Sequence, residues 1–370
     1  MDNQKPNRRE FLHSALFSRT GEAFLDCEIQ PDLLFAHLLA VGEEICAEFI
    51  PGESSFHIVD GIRIQASVNH EHQAVLVYKG MLDFLFRIAS MLVGADRRKK
   101  LPEDQFYEPW SGTVRSWLSG GEFNWEDERF WWLLDEDYRL GFDATIEGLF
   151  RFLVFHEVGH LHNMHRARRE LGQPGKDAHP SMHYAIDDSQ EHGSSDRLAA
   201  HAREIVADTY AFHFLFEFNK QRMLLLEELQ VAGNEAICTV AYAISIWHVA
   251  SFFWSLCFIL PSDESQMDCY PSHLFRLQAI EATSLEHGVG GMDSQSAHQA
   301  LHHAMLTYVT MLNPLSVNNE FVHWRLRTND PAHVHHYELI CAEVPRWSNT
   351  AFGIRDEFLE FYKSFTRNQL

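Results

Sequence analysis

The chain has 370 residues, of which 46% are hydrophobic and 13% aromatic, so it carries enough apolar material for one large domain or two ordinary ones. Its formal charge of -22 at pH 7 argues against a nucleic-acid partner, because phosphate backbones require a basic footprint. The six cysteines form no CxxC pair, which favours reduced thiols in a cytoplasmic protein. Residues 1–20 lack the apolar core of a secretory signal, so we predict no export by that route.

The N-terminal part of the chain, residues 1–52, is predicted to be a helical segment. Apolar residues recur at helical spacing between Leu33 and Val41. Pro51 and Gly52 end the pattern, because both residue types interrupt helices. We predict no chemistry in this segment.

Two short runs of strand-forming residues follow, at 55–59 and 62–68. They flank Asp60 and Gly61, a pair that the type I′ turn prefers because both of its central residues take positive φ. We therefore predict that the two runs pair with each other as a β-hairpin.

A further strand is predicted at Ala74–Tyr78, and Gly80 then leads into an apolar helix that begins near Met81. Residues 95–143 interrupt this order with a basic patch and then an acidic, tryptophan-rich stretch, which we interpret as an inserted subdomain. The tryptophans are expected to form a local core, with a substrate-facing or partner-facing surface as the alternative.

The strongest chemical signal is the HExxH sequence at residues 156–160, which lies in a predicted apolar helix. Residues four apart share one face of a helix, so His156 and His160 are predicted to bind the same zinc ion. Glu157 is then placed to act as general base on a water whose pKa the metal lowers. Gly159 is expected to leave space beside the metal.

A polar stretch rich in glycine, proline and serine, residues 171–195, is predicted to be a long loop before a strong helix over residues 197–218. On that helix Glu204 offers a third zinc ligand, since the third ligand should come from a separate element. Asp208 lies one turn later on the same face. It is expected to accept the second imidazole N–H of a ligand histidine and to fix its tautomer.

The HExxH motif at 156–160 and the ExxAD motif at 204–208 together resemble the gluzincin metallopeptidases of the HtpX and CAAX-prenyl-protease type. Residues 75–83 resemble the strand, glycine and helix that precede HExxH in that family, where the strand lines the substrate cleft. Residues 270–277 resemble its later HPxxxxRL segment. The resemblance implies a zincin-like fold and zinc-dependent hydrolysis of peptide bonds. At the zinc helix alone, the chain is also similar to Lit, the bacterial phage-exclusion protease.

The same resemblance points to residues that assist the transition state. Tyr270 stands where the family has histidine, and its hydroxyl is expected to donate to the developing oxyanion. His273 is an alternative donor. Arg276 is expected to hold the same oxyanion or the substrate backbone.

Residues 236–260 carry no Asp, Glu, Lys or Arg and are long enough to cross a bilayer as a helix. A single crossing here would place Glu204 and Arg276 on opposite sides of the membrane and divide the site. A buried core helix is therefore preferred. Inner-membrane association through this segment is the alternative to a cytoplasmic location.

Together these patterns predict an α+β, mainly α-helical protein, in which a zincin-like domain carries a small β-sheet beside the zinc helix. The predicted parts are an N-terminal helical segment at 1–52, a catalytic core at 53–94 and 144–290, the insertion at 95–143 and a C-terminal helical region at 291–370.

The predicted function is that of a zinc metallopeptidase, more an endopeptidase than an exopeptidase, acting on a polypeptide substrate. Two alternatives stay open. One is a trigger-activated defence or toxin protease with one host-protein target and a regulatory protein partner. The other is a zinc-stabilised protein without turnover, which uses the insertion at 95–143 to recognise a partner.

Overall fold

The structure, a computed structural model, is mainly α-helical over the residues that it describes, which also include one small mixed sheet of four strands, and this confirms the predicted α+β class. In the described part of the N-terminal segment predicted to be helical, two helices lie on either side of a very short strand. The residues that the structure describes are 8–25, 33–50, 52–100, 114–120, 136–166, 194–259, 271–287, 292–312, 321–324, 339–340 and 342–348.

The elements follow one another along the chain with these bounds. The helices are α1 (Arg8–Thr20), α2 (Leu33–Phe49), α3 (Lys79–Lys100), α4 (Val114–Leu118), α5 (Glu136–His162), α6 (Ser194–Leu224), α7 (Glu227–Ala232), α8 (Asn234–Ile259), α9 (His273–His287) and α10 (Ser294–Leu312). The strands are β1 (Ala23–Phe24), β2 (Ser55–Asp60), β3 (Ala66–Asn69) and β4 (Ala74–Tyr78), and a 3₁₀ turn lies at Val344–Arg346.

The order of the sheet, β1-β2-β4-β3, shows that the predicted hairpin is wrong. β2 pairs in parallel with β4, and β3 pairs with β4 in antiparallel orientation, so the runs on either side of Asp60 and Gly61 are not neighbours. Burial explains the difference. Every residue of β4 is buried, whereas every residue of β3 is half-buried, and the fully apolar strand takes a central position where both faces are covered. The hairpin that forms joins β3 to β4 through a turn that includes Gln73, with φ of 46°.

The predicted order of strand, glycine and helix is confirmed, because β4 is followed directly by α3. Gly80 is required at this junction, since a Cβ atom there would overlap the main-chain carbonyl of Ile62. The Gly80 N–H donates to the Gly61 carbonyl at 2.9 Å. The junction therefore fixes the loop before β3 against the start of α3.

The predicted insertion at 95–143 is described only in part. α3 continues across residue 95, and α4 packs against α3 and α8. Residues 101–113 and 121–135 lie outside the described residues, and so does the part of the predicted loop from 171 to 193.

α5 and α6 pack against each other more extensively than any other pair of described elements and form the centre of the molecule. α8 packs against α6, and both α9 and α10 pack against α8. The predicted zinc helix and the predicted third-ligand helix are thus direct neighbours, with three further helices behind them.

α8 contains most of the segment 236–260, which carries no Asp, Glu, Lys or Arg. Among the described helices it is the one that is long and apolar enough to span a membrane, over Asn234–Cys257, and 67% of its most apolar window is buried inside the fold. Phe252 and Phe253 make edge contacts with Phe152 of α5. These are the contacts expected of a core helix, and the cytoplasmic location stays a prediction.

A candidate metal centre

The centre lies where α5 and α6 approach each other, and a glycine allows the approach. A Cβ atom at Gly159 would lie 3.1 Å from the Ala207 Cα and 3.2 Å from the Tyr210 Cδ1. The predicted role of Gly159, to leave space beside the metal, is therefore corrected, because this glycine makes room for the backbone of α6. The close approach brings Glu204 of α6 to the histidines of α5.

His156, His160 and Glu204 converge as predicted, and they form the one group among the described residues whose donor atoms are placed to hold a metal ion. The two histidine Nε2 atoms lie 3.2 Å apart. Oxygens of Glu204 lie 3.4 Å from the His156 Nε2 and 3.5 Å from the His160 Nε2. Zinc bonds of about 2.0–2.2 Å at tetrahedral angles separate ligand atoms by about 3.3–3.6 Å. The donor atoms and their spacing therefore fit a tetrahedral divalent metal.

Asp208 lies behind His156, in the position predicted from the sequence. The His156 Nδ1–H donates to the Asp208 Oδ1 at 2.9 Å, which directs the other ring nitrogen toward the second histidine and Glu204. Asp208 is fully buried. Arg276 donates to it twice, from Nη2 at 2.6 Å and from Nε at 2.7 Å. The pair satisfies a carboxylate that would be costly to bury alone.

The sequence predicts that Arg276 holds an oxyanion or the substrate backbone, and the structure gives it other partners. Its Nε and Nη2 atoms both donate to the Asp208 carboxylate, and Nη2 also lies 3.5 Å from the Glu204 Oε2. Its Cζ lies 4.9 Å from the centre of the Phe253 ring. The guanidinium is thus held among the carboxylates of the centre, where it balances their charge.

Charges within the centre set the protonation of its ligands. Burial by itself disfavours the imidazolium of His156, but Asp208 and Glu204 outweigh burial and raise its pKa to about 10. Burial also opposes the Glu204 carboxylate, yet the two histidines and Arg276 hold its pKa below the usual range. Burial lowers the pKa of His160 to about 3. Glu204 is therefore ionised and His160 neutral at pH 7, the forms in which each binds a metal, whereas the imidazolium of His156 must release its Nε2 proton when a metal binds.

Glu157 follows the first histidine on α5 and is 7% exposed. Burial raises the pKa of its carboxyl group to about 7, while His156 opposes the rise and Glu204 adds to it. A carboxyl group that titrates near neutral pH can both take and return a proton at physiological pH. Such a perturbed group beside a metal cluster is typical of catalytic sites.

Sequence reasoning missed His165, a buried residue that the structure places against the centre. Its Nδ1 lies 2.8 Å from the His160 Nδ1. Its Nε2 lies 3.0 Å from the carbonyl oxygen of Trp347, which is 182 residues away in sequence. Burial lowers the pKa of His165 well below its usual value. Its position just after α5 is a signal that sequence reasoning could have used, but no local pattern points to Trp347.

His273 and Tyr270 are the other two predicted catalytic residues. The His273 ring stacks on Phe253 with centroids 6.0 Å apart, and its buried Nδ1 has no partner among the described residues. Burial lowers its pKa to about 3, with Arg276 adding to the effect. His273 is thus neutral at pH 7, and its ring and the Arg276 guanidinium both lie against the Phe253 ring. Tyr270 lies outside the described residues.

Comparison of the chain with protein-family models, with curated proteins and with solved structures gave no match. The chemistry of the centre must therefore be inferred from its own residues. Two imidazoles and a carboxylate can bind a divalent cation, and three ligands leave a coordination position for water. A second carboxylate orients one imidazole, and a buried carboxyl group titrates near neutral pH.

Proposed function

We propose that the chain is a zinc metallopeptidase that hydrolyses polypeptide substrates. One observation carries the proposal: His156, His160 and Glu204 place their donor atoms where they could hold a metal ion, and burial raises the pKa of the adjacent Glu157 to about 7. Structural zinc sites use four protein ligands, whereas catalytic sites use three and keep one position open. The group found among the described residues has three protein ligands, as catalytic sites do. The zincin-like assignment of the fold is part of the same proposal.

Each residue of the centre has a defined task in this reaction. Held by His156, His160 and Glu204, zinc would supply a Lewis acid that lowers the pKa of water and polarises the scissile carbonyl. Glu157 takes the proton of the attacking water and gives it to the leaving amine. Asp208 holds one proton of His156 on Nδ1, so that Nε2 is the nitrogen that gives up its proton and binds the metal, and Arg276 keeps Asp208 ionised.

The position of β3 supports a polypeptide substrate. β3 is the terminal strand of the sheet, it contacts α5, and no described strand pairs with its outer edge. Main-chain groups at such an edge can pair with an extended peptide. The resemblance gives the cleft-lining role to the strand at Ala74–Tyr78, but that strand lies inside the sheet. We therefore assign the role to β3.

The test compares Glu157→Gln with Glu147→Gln, a matched substitution on the same helix. Glu147 pairs with Arg151 at 2.9 Å and is not part of the metal group. We expect the wild type and Glu147→Gln to hold stoichiometric zinc and to cleave unfolded casein or a mixed peptide library. Glu157→Gln should keep its zinc and lose hydrolysis by about 10²–10⁴-fold, because it lacks the general base.

Full hydrolysis by Glu157→Gln, or purified wild type without stoichiometric metal, would refute the proposal. A zinc-loaded wild type that ignores these substrates but arrests cell growth, with Glu157→Gln harmless, would favour the trigger-activated protease. Zinc binding without turnover, together with partner binding that survives Glu157→Gln, would favour the non-catalytic alternative.

A further inference from the structure

We propose that His165 is a positioning residue for the metal ligand His160, and that the main-chain carbonyl of Trp347 in turn positions His165. The inference deepens the proposed zinc site and rests on it. It extends the centre beyond α5 and α6 to the segment around the 3₁₀ turn at Val344–Arg346.

The Trp347 carbonyl oxygen fixes the direction of both hydrogen bonds that His165 makes. A carbonyl oxygen only accepts, so the His165 Nε2, 3.0 Å from the Trp347 oxygen, carries a proton. A neutral imidazole then has a bare Nδ1, which accepts the proton on the His160 Nδ1 at 2.8 Å. With its proton on Nδ1, His160 presents the lone pair of Nε2 to the metal. Each group thus selects the tautomer of the next one.

The opposite proton arrangement excludes the metal. If His165 carried protons on both nitrogens, its Nδ1 would donate to His160, and a neutral His160 would hold its own proton on Nε2. That proton would point between the His156 Nε2, 3.2 Å away, and the Glu204 oxygens, where the metal belongs. Metal binding and the relay through His165 therefore require the same arrangement of protons.

The segment that supplies the Trp347 carbonyl is docked on the helix that supplies the third ligand. Ile340, Val344 and Trp347 form an apolar cluster with residues of α6 and α9. Arg203, next to Glu204 in sequence, lies over the Trp347 ring with its Cζ 4.8 Å from the ring centre. Docking of this segment thus supports Glu204 through contacts with α6, and it supports His160 through the hydrogen bond from His165 to the Trp347 carbonyl.

Two substitutions at His165 distinguish its role in hydrogen bonding from its role in packing. His165→Phe keeps an aromatic ring and removes both nitrogens, whereas His165→Gln keeps one acceptor and one donor. His303→Phe, at an exposed position on α10, is the control for loss of a histidine. The readouts are the zinc dissociation constant, from competition with a chelator, and the visible spectrum of the cobalt(II)-loaded protein.

We expect His165→Phe to weaken zinc binding by about 10–100-fold and to change the cobalt spectrum. His165→Gln should recover most of the affinity, because Gln can accept from His160 and donate to the carbonyl. His303→Phe should match the wild type.

A measurement on the zinc-loaded wild type does not depend on the folding of any variant. Ring ¹⁵N–¹H correlations should show a neutral His165 protonated on Nε2 and a His160 protonated on Nδ1. These two tautomers are what the hydrogen-bond geometry requires.

The outcomes distinguish this inference from the proposed function. Wild-type zinc affinity in His165→Phe, or a His165 protonated on Nδ1, overturns the inference and leaves a Glu157-dependent peptidase intact. Loss of zinc affinity in His165→Phe, in a protein that never hydrolyses peptides, supports the inference and refutes the function. A wild type that binds no zinc overturns both.

Discussion

A single methyl group at Gly159 tests how the centre is assembled. In Gly159→Ala the new Cβ would lie 3.1 Å from the Ala207 Cα, 3.3 Å from the Ala207 oxygen and 3.2 Å from the Tyr210 Cδ1, whereas ordinary contacts lie at 3.4–4 Å. Two of these three atoms belong to the backbone and cannot rotate away. α5 and α6 must therefore separate by a few tenths of an ångström.

That separation affects metal binding more than stability. It moves Glu204 away from His156 and His160, and ligand distances in metal sites lie within about 0.2 Å of their usual values, so we expect zinc affinity to fall about tenfold or more. In the metal-free protein, overpacking costs about 1–3 kcal/mol, and the better helix propensity of alanine offsets up to about 1 kcal/mol of this. The expected net loss in free energy of unfolding is about 0–2 kcal/mol.

Gly141→Ala is the control, because Gly141 is exposed on the same helix and a Cβ there meets nothing within 4 Å. We expect this variant to gain about 0.5–1 kcal/mol in free energy of unfolding and to keep its zinc affinity. The assays are chelator competition for zinc and urea unfolding of the metal-free proteins. If Gly159→Ala were stabilised like Gly141→Ala and bound zinc like the wild type, the close approach of α5 and α6 would not govern the site.

Further predictions concern Gly80, Cys46 and Arg276. Gly80→Ala should lower the free energy of unfolding in urea by about 1–3 kcal/mol, because its Cβ would overlap main-chain carbonyls, and an unchanged unfolding midpoint would contradict this. Burial raises the pKa of the Cys46 thiol to about 12, so iodoacetamide near pH 8.5 should label this residue in urea and spare it in the native protein. Because the folded pKa lies above the unfolded one, the contribution of Cys46 to stability should be lost as the pH rises from about 8.5 toward 12. Arg276→Lys should weaken zinc binding about tenfold, since lysine cannot donate to Asp208 from two positions. A variant with unchanged zinc affinity and impaired turnover would instead support the oxyanion role predicted from the sequence.

The parts of the site that the sequence predicts are those governed by helical periodicity. His156 and His160 must share a face of α5, and Glu204 and Asp208 must share a face of α6, wherever the two helices lie. The pairing of strands is not governed by periodicity. Asp60 and Gly61 favour a turn locally, but the apolar sequence of β4 determines that it lies between β2 and β3.

Contacts between distant segments follow a different rule, which is the satisfaction of buried polar groups. Asp208 is fully buried, so it needs a cation, and Arg276 supplies one from 68 residues away. The sequence predicts an oxyanion or the substrate backbone as the partner of Arg276, and in the structure the buried Asp208 carboxylate accepts from its Nε and Nη2 atoms. The same reasoning explains His165. A histidine proposed to bind a metal through one nitrogen needs a partner for the other nitrogen that fixes its tautomer, and His160 lies against His165, which is itself anchored to a carbonyl 182 residues further along the chain.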